Sequence, residues 1–72
     1  MISKDFFRSR LRELRKEAGE TQAQVGAAIG IGERHYQKFE GGQNMPSIDN
    51  FCALADHFGV SLDYLAGRTD QR

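Results

Sequence analysis

Glycines recur at short intervals along this chain, and the stretches between them carry apolar side chains at helical spacing instead of in alternation. Gly19, Gly30 and Gly59 each follow such a stretch, at the point where a residue that tolerates positive φ commonly ends a helix. No stretch shows the alternation of a half-buried strand. The pattern predicts an all-α fold of five short helices, with residues 1–72 forming a single domain.

Capping residues and glycines predict where these helices begin and end. Ser3 precedes the first apolar repeat, Thr21 and Gln22 precede the second, and Gly32 precedes the third. The predicted helices span about Asp5–Ala18, Ala23–Ile29, Glu33–Glu40 and Ser47–Phe58, followed by a short helix capped by Ser61.

Apolar spacing indicates which side chains of the last two helices enter the core. We expect an inward stripe on the fourth helix, two inward leucines on the fifth, and a frayed tail from Gly67 to Asp70. The expected stripe consists of Ile48, Phe51, Cys52, Ala55 and Phe58, and the two leucines are Leu62 and Leu65.

The bulk properties exclude several classes of protein. No apolar run approaches the roughly 18 residues that cross a bilayer, and the charged segment Met1–Arg12 does not resemble a signal peptide. The single cysteine excludes an intrachain disulfide and favours a reducing compartment. We therefore expect a cytoplasmic protein without a membrane segment.

The distribution of charge says more than its sum. The formal net charge is zero, which argues against a non-specific nucleic-acid coat. Residues 1–45 nevertheless hold eight basic and six acidic side chains, an excess of two positive charges that residues 46–72 balance.

The segment from Thr21 to Gln43 has the pattern of two helices joined by a tight glycine turn. Counting Gln22 as the first position, Gly26 is the fifth, Gly30 the ninth and Tyr36 the fifteenth. We expect Gly26 to let the helices approach, Gly30 to form the turn and Tyr36 to anchor the second helix in the core. The outer face of that helix is polar.

These residues resemble the Cro and phage-repressor type of helix-turn-helix domain, the lambda-repressor-like fold. The resemblance covers nearly the whole chain, which makes it more specific than an isolated helix-turn-helix pattern. It depends on LRELRKEAG at 11–19, Thr21-Gln22, Ile29-Gly30-Ile31, Phe39-Glu40-Gly41-Gly42, Pro46-Ser47, Leu54-Ala55, Gly59-Val60-Ser61-Leu62-Asp63-Tyr64-Leu65 and Gly67-Arg68-Thr69-Asp70.

The resemblance implies sequence-specific binding to double-stranded DNA by a transcriptional regulator, most simply a repressor that acts as a homodimer on a two-fold operator. It assigns base contacts to Glu33, Arg34 and Lys38, and contacts to the DNA backbone to Gln22, His35, Gln37, Gln43 and Asn44. It also implies a structural ion pair between Arg15 and Glu40.

The side-chain chemistry of the three implied base contacts suits G·C pairs. Arg34 can bind O6 and N7 of guanine, Lys38 can donate to the same edge, and Glu33 can accept from the amino group of cytosine. The alternative is that Glu33 and Lys38 are solvated surface, or that Glu33 orients a basic neighbour. A carboxylate at position 33 also repels phosphate, which disfavours non-specific binding.

Two positions depart from the commonest pattern of this family. Tyr36 stands where a smaller aliphatic residue is usual, and Gly26 where alanine is usual. We expect the hydroxyl group of Tyr36 to point to the DNA side or toward a protein partner, with Gly26 offsetting the added volume.

The surface of a homodimer is expected around the fourth and fifth helices, at Phe58, Val60 and Tyr64, although all three could equally be core residues. The alternative function is a protein-interaction module of antitoxin or anti-repressor type that has kept the fold with little DNA binding, an interpretation favoured by zero net charge.

The sequence offers no support for an enzyme, a cofactor or a small-molecule ligand. No arrangement of nucleophile and base is evident. His35, His57 and Cys52 lack the spacing of metal ligands, so no metal is expected.

Overall fold

The structure is a computed structural model that describes residues 3–72, and this part of the chain forms five α-helices. The all-α prediction is confirmed, and the four helices with predicted bounds differ from the observed ones by at most one residue at either end. The helices are α1 (Lys4–Glu17), α2 (Gln22–Ala28), α3 (Glu33–Glu40), α4 (Ile48–Phe58) and α5 (Leu62–Leu65).

Side-chain caps explain where four of the helices begin. Ser3, Thr21, Ser47 and Ser61 each accept a hydrogen bond from the backbone N–H three residues further on. At α2 the cap is reciprocal, because the side chain of Gln24 accepts from the Thr21 N–H at 2.8 Å. Such caps each stabilise a helix by about 1 kcal/mol, which matters for helices as short as these.

One apolar cluster holds the helices together. The rings of Phe7 and Phe51 stack at 5.5 Å between α1 and α4, while Tyr36 and Phe39 enter the cluster from α3. The fully enclosed members are Phe7, Leu11, Val25, Tyr36, Phe39, Leu54 and Leu65.

Two predicted core residues lie at the surface. Ile48 is 71% exposed and Leu62 is 43% exposed. Each is the first residue of its helix, and helical side chains lean toward the N-terminus, so both project beyond the helix end instead of onto the layer below. The inward predictions for Phe51, Ala55 and Leu65 are confirmed, and Cys52 and Phe58 are only partly buried.

The C-terminal tail is attached to α1, so the prediction that Gly67–Asp70 is frayed is wrong. The guanidinium of Arg10, on α1, donates to the backbone carbonyls of Tyr64 and Thr69 and pairs with the carboxylate of Asp70 at 2.6 Å. The backbone N–H of Ser61 donates to the carbonyl of Arg72 at 2.9 Å. Ordered hydrogen bonds therefore continue to the last residue.

The α2–α3 turn brings two helices close together. Gly30 has φ +80°, and the N–H of Ile31 donates to the carbonyl of Gly26 at 2.9 Å. A Cβ atom on Gly26 would lie 3.2 Å from the Ile31 carbonyl and 3.4 Å from the Tyr36 Cβ. The expected roles of Gly26 and Gly30 are both confirmed.

Candidate nucleic-acid interface

Helix α3 has one buried side and one exposed side. Tyr36 and Phe39 are buried, with their rings edge to face at 6.4 Å. The other side is exposed and polar, and it consists of Glu33, Arg34, His35, Gln37 and Lys38. The short helix is therefore fixed from below by two aromatic anchors and presents hydrogen-bonding side chains above.

Arg34 and Lys38 stand one helical turn apart on this exposed side. Within residues 3–72 neither side chain has a salt-bridge or hydrogen-bond partner. Both cations are thus available to an external anion or to acceptors on a base edge.

Glu33 contacts a neutral neighbour. The side-chain amide of Gln37 donates to its carboxylate at 3.4 Å, which is a long hydrogen bond at an exposed position. The suggestion that Glu33 orients a basic neighbour therefore finds no contact in this structure, whereas its carboxylate and the Gln37 amide share one turn of α3.

Gln22, the first residue of α2, is half-buried at the edge of a groove between α1, α2 and α3. Its side-chain amide donates to Glu40 at 3.3 Å, which fixes the amide beside the N-terminus of α2. Thr21, Gln37 and Arg12 line the same groove. Two acidic side chains, Glu20 and Glu33, line it as well.

The structure places Arg15 and Glu40 together, as the resemblance implies. The Nε and Nη2 atoms of Arg15 donate to the two carboxylate oxygens at 2.6 and 3.1 Å. The Glu40 side chain is 5% exposed and that of Arg15 is 15% exposed. Burial alone would raise the pKa of Glu40, but hydrogen bonds from Arg15 and Tyr36 outweigh burial and hold that pKa below its usual value.

Tyr36 adds a donor that the sequence reasoning missed. Its hydroxyl donates to the Glu40 carboxylate, one turn along α3. The expectation that this hydroxyl points to the DNA side or to a protein partner is wrong, because it turns inward to a buried acceptor. A signal was present in the sequence: a buried tyrosine hydroxyl needs an acceptor, and Glu40 lies four residues away.

The other residues that are predicted to contact the DNA backbone lie on α3 or directly after it. Gln43 and Asn44 are exposed in the loop after α3, and their backbone N–H groups donate to the Lys38 carbonyl at 3.0 and 3.3 Å. The ring of His35 lies 5.1 Å from that of Phe39. The structure therefore brings all the predicted DNA-contacting residues to α3, its following loop and the start of α2.

The residues predicted for a dimer surface separate into two groups. Tyr64 is 7% exposed and its ring lies under the Arg10 guanidinium at 4.3 Å, so it belongs to the core. Phe58 and Val60 are partly buried against the core. The exposed apolar residue nearest to them in sequence is Leu62.

Residues 3–72 contain no group of three or more side chains that could hold a metal ion. None of their helices is long and apolar enough to cross a membrane.

A capped α2, a glycine turn and a short α3 with a buried and a polar side define a helix-turn-helix. The chain belongs to the helix-turn-helix family, whose model matches residues 11–65, and the predicted resemblance to Cro and phage repressors is confirmed.

Known relatives are named as regulators of transcription. The cryptic phage CTXphi transcriptional repressor RstR of Vibrio cholerae serotype O1 is 39% identical over 61 residues, which cover 85% of this chain and 54% of that protein. The uncharacterized HTH-type transcriptional regulator YobD of Bacillus subtilis matches with the same identity and coverage. The chain thus spans about half the length of these relatives.

Solved structures share the fold. The P22 c2 repressor, in complex with a synthetic operator, superposes with a TM-score of 0.84 at 26% identity, covering 89% of this chain and 97% of that one. The restriction-modification controller protein C.AhdI of Aeromonas hydrophila gives a TM-score of 0.76 at 30% identity, covering 82% and 89% of the two chains.

Proposed function

We propose that this chain binds double-stranded DNA in a sequence-specific manner and acts in the cytoplasm as a non-enzymatic transcriptional regulator, most simply a repressor. The observation that carries the proposal is the pair of unpartnered cations, Arg34 and Lys38, on the exposed side of an anchored α3. The operator complex of the P22 c2 repressor supports it, because that protein has the same fold.

In this proposal Arg34 and Lys38 read guanine in the major groove, and Glu33 accepts from cytosine or rejects other sites. Gln22, at the N-terminus of α2, contacts a phosphate, together with His35, Gln37, Gln43 and Asn44 around α3. Arg15 and Glu40 hold the two parts of this surface in register without contacting DNA.

Duplex binding as a function of salt tests the proposal. Binding to a duplex selected from a random-sequence pool is expected to weaken steeply as salt rises, because bound cations displace condensed counterions from DNA. Absence of binding to any duplex at low salt would overturn the proposal.

We further propose that the chain binds its operator as a homodimer through the surface around Leu62, Phe58 and Val60. Leu62 is 43% exposed at the start of α5, Phe58 ends α4, and Val60 lies between the two helices. Two half-sites one helical turn apart would then strengthen weak single contacts. Leu62→Lys is expected to lower binding to a two-fold site but not to a single half-site; equal loss on both would contradict the dimer.

A protein-interaction module is the second candidate. Ile48 is 71% exposed beside Met45, Pro46 and Phe51, which together with Lys4 line a small groove. Such a module is expected to retain its fold and to show no salt-dependent duplex binding, so the same titration separates the two functions.

A further inference from the structure

The Glu40 carboxylate collects donors from three helices. Arg15 reaches it from α1, Gln22 from α2, and Tyr36 from α3. Since the side chain is 5% exposed, protein donors replace nearly all of its water. Within residues 3–72 no buried side-chain polar atom lacks a partner, so the buried part of this network is paired throughout.

The donors are divided between the two carboxylate oxygens. Oε2 accepts from the Tyr36 hydroxyl and from Arg15 Nε, whereas Oε1 accepts from Gln22 and from Arg15 Nη2. The hydroxyl, which is fixed in the core, thereby helps Arg15 to hold the carboxylate in the orientation that presents an oxygen to Gln22. Without it, the carboxylate would keep Arg15 but lose one of the bonds that fix its rotation.

Tyr36 is well suited to this task. Its ring is fully buried and its Cβ lies against Gly26, where a larger residue would leave less room. Burial, together with the bond to Glu40, raises the pKa of Tyr36 well above its usual value, so the hydroxyl is protonated and can donate near neutral pH.

The consequence appears at Gln22. Its amide carries two N–H groups, and the bond to Glu40 occupies one of them at 3.3 Å. The second is then held in a defined orientation at the groove lined by Thr21 and Gln37. An amide fixed in advance binds a phosphate without the entropy cost of ordering it.

We propose that Tyr36 is a positioning residue for DNA binding, acting through Glu40 on the amide of Gln22 without touching DNA. The inference depends on the proposed DNA-binding function and deepens it. It attributes part of the DNA affinity to a hydroxyl buried beneath the recognition helix.

A double-mutant cycle tests this coupling. The affinities of the wild-type chain, Tyr36→Phe, Gln22→Ala and the double variant are measured on a duplex selected by the wild-type chain. Circular dichroism at the same temperature shows that each variant is folded. Tyr36→Phe is expected to weaken binding by about three- to tenfold, the equivalent of one hydrogen bond, and to leave base preference unchanged.

The decisive comparison is between the effects of Tyr36→Phe in two different glutamine variants. In Gln22→Ala the effect of Tyr36→Phe should disappear, whereas in Gln24→Ala, which alters a neighbouring glutamine bonded only to the helix cap, it should persist in full. Wild-type affinity for Tyr36→Phe, or an undiminished loss in the Gln22→Ala background, would overturn the inference while leaving wild-type DNA binding intact.

A second variant covers the case in which Tyr36→Phe does not fold. Glu40→Asp keeps the charge but withdraws the carboxylate by one methylene from Gln22. Because Glu40→Asp also disturbs the pair with Arg15, the affinity loss should be larger in the wild-type background than in the Gln22→Ala background. An equal loss in the two backgrounds would contradict the proposed route.

Discussion

Two arginines of α1 are largely withdrawn from water and are attached in different ways. Arg15 binds a carboxylate, Glu40, whose side chain is 5% exposed, whereas the carboxylate partner of Arg10, Asp70, is 99% exposed. Arg10 also donates hydrogen bonds to the backbone carbonyls of Tyr64 and Thr69, and its guanidinium lies over the Tyr64 ring.

The two arginines therefore depend on different partners. Removing Glu40 would leave a guanidinium, a tyrosine hydroxyl and a glutamine amide without their shared acceptor. Removing the Asp70 carboxylate would take away a group that is already in water, and both hydrogen bonds from Arg10 to backbone carbonyls would remain. The first network supports the α3 surface, and the second closes the tail onto α1.

The largest effect is expected from Glu40→Gln. Loss of one partner of a buried ion pair should lower the free energy of unfolding by about 3–5 kcal/mol, because Arg15 is left as an uncompensated charge. Chemical denaturation monitored by circular dichroism measures it. The matched change at the partner of Arg10, Asp70→Asn, should cost less than about 1 kcal/mol. Equal losses would show that the two arginines depend on their carboxylates alike.

Arg10→Met should have the next largest effect. It keeps much of the apolar stem but removes the donors to two carbonyls, so we expect a loss of about 2 kcal/mol. Hydrogen exchange should show the Ser61 amide, which bonds to the Arg72 carbonyl, losing its protection. If that amide stayed protected, Arg10 would not be what holds the tail.

Gly26→Ala tests the close approach that gives Tyr36 its position. Alanine favours the helix by about 1 kcal/mol over glycine, but its Cβ would press on the Ile31 carbonyl at 3.2 Å and the Gly32 carbonyl at 3.3 Å. Because both neighbours are backbone atoms of the turn, we expect a net loss of about 1 kcal/mol. Thermal denaturation shows whether the melting temperature falls or rises. A higher melting temperature would show that the backbone of the turn can move to accept the added methyl group.

The smallest effect on the free energy of unfolding near neutral pH comes from titration of Glu40, which becomes important only in acid. Since its pKa is lowered in the folded protein, ionised Glu40 adds stability above the unfolded value of about 4.3, and this stability is lost as pH falls through the folded pKa. Glu17, whose pKa is lowered by a hydrogen bond from Arg72, titrates in the same direction.

Subtracting the stability curve of Glu40→Gln from that of the wild-type chain removes the contribution of Glu17. The difference in free energy of unfolding between the two proteins should be constant above about pH 5 and should decrease as the pH falls below that. A difference that did not change with pH would show that ionised Glu40 is not what the network stabilises.

Local signals explain how much of the fold was predictable. Thr21 and Ser61 start helices and Gly30 and Gly59 follow them, so the helix limits could be read from residues close in sequence. Ile48 and Leu62 were misplaced because periodicity does not reveal that the first side chain of a helix projects past its end.

Some features of the candidate site could likewise be predicted from the sequence, and others could not. The polar side of α3 follows from helical spacing, and the Arg15–Glu40 pair followed from the family resemblance. Arg10 was not predictable, because its main partners are backbone carbonyls, which carry no residue-specific signal. The four-residue spacing of Tyr36 and Glu40 hinted at the direction of the hydroxyl, but only the burial of both side chains establishes it.

We propose that α3 reads bases while Gln22, at the start of α2, binds the DNA backbone, and paired selection from a random duplex pool can separate these two roles. The wild-type chain should enrich a G·C-containing site. Arg34→Ala should relax preference at one position of that site, and Gln22→Ala should weaken binding with the preference unchanged. Equal loss on all sequences from both variants would contradict this division of roles.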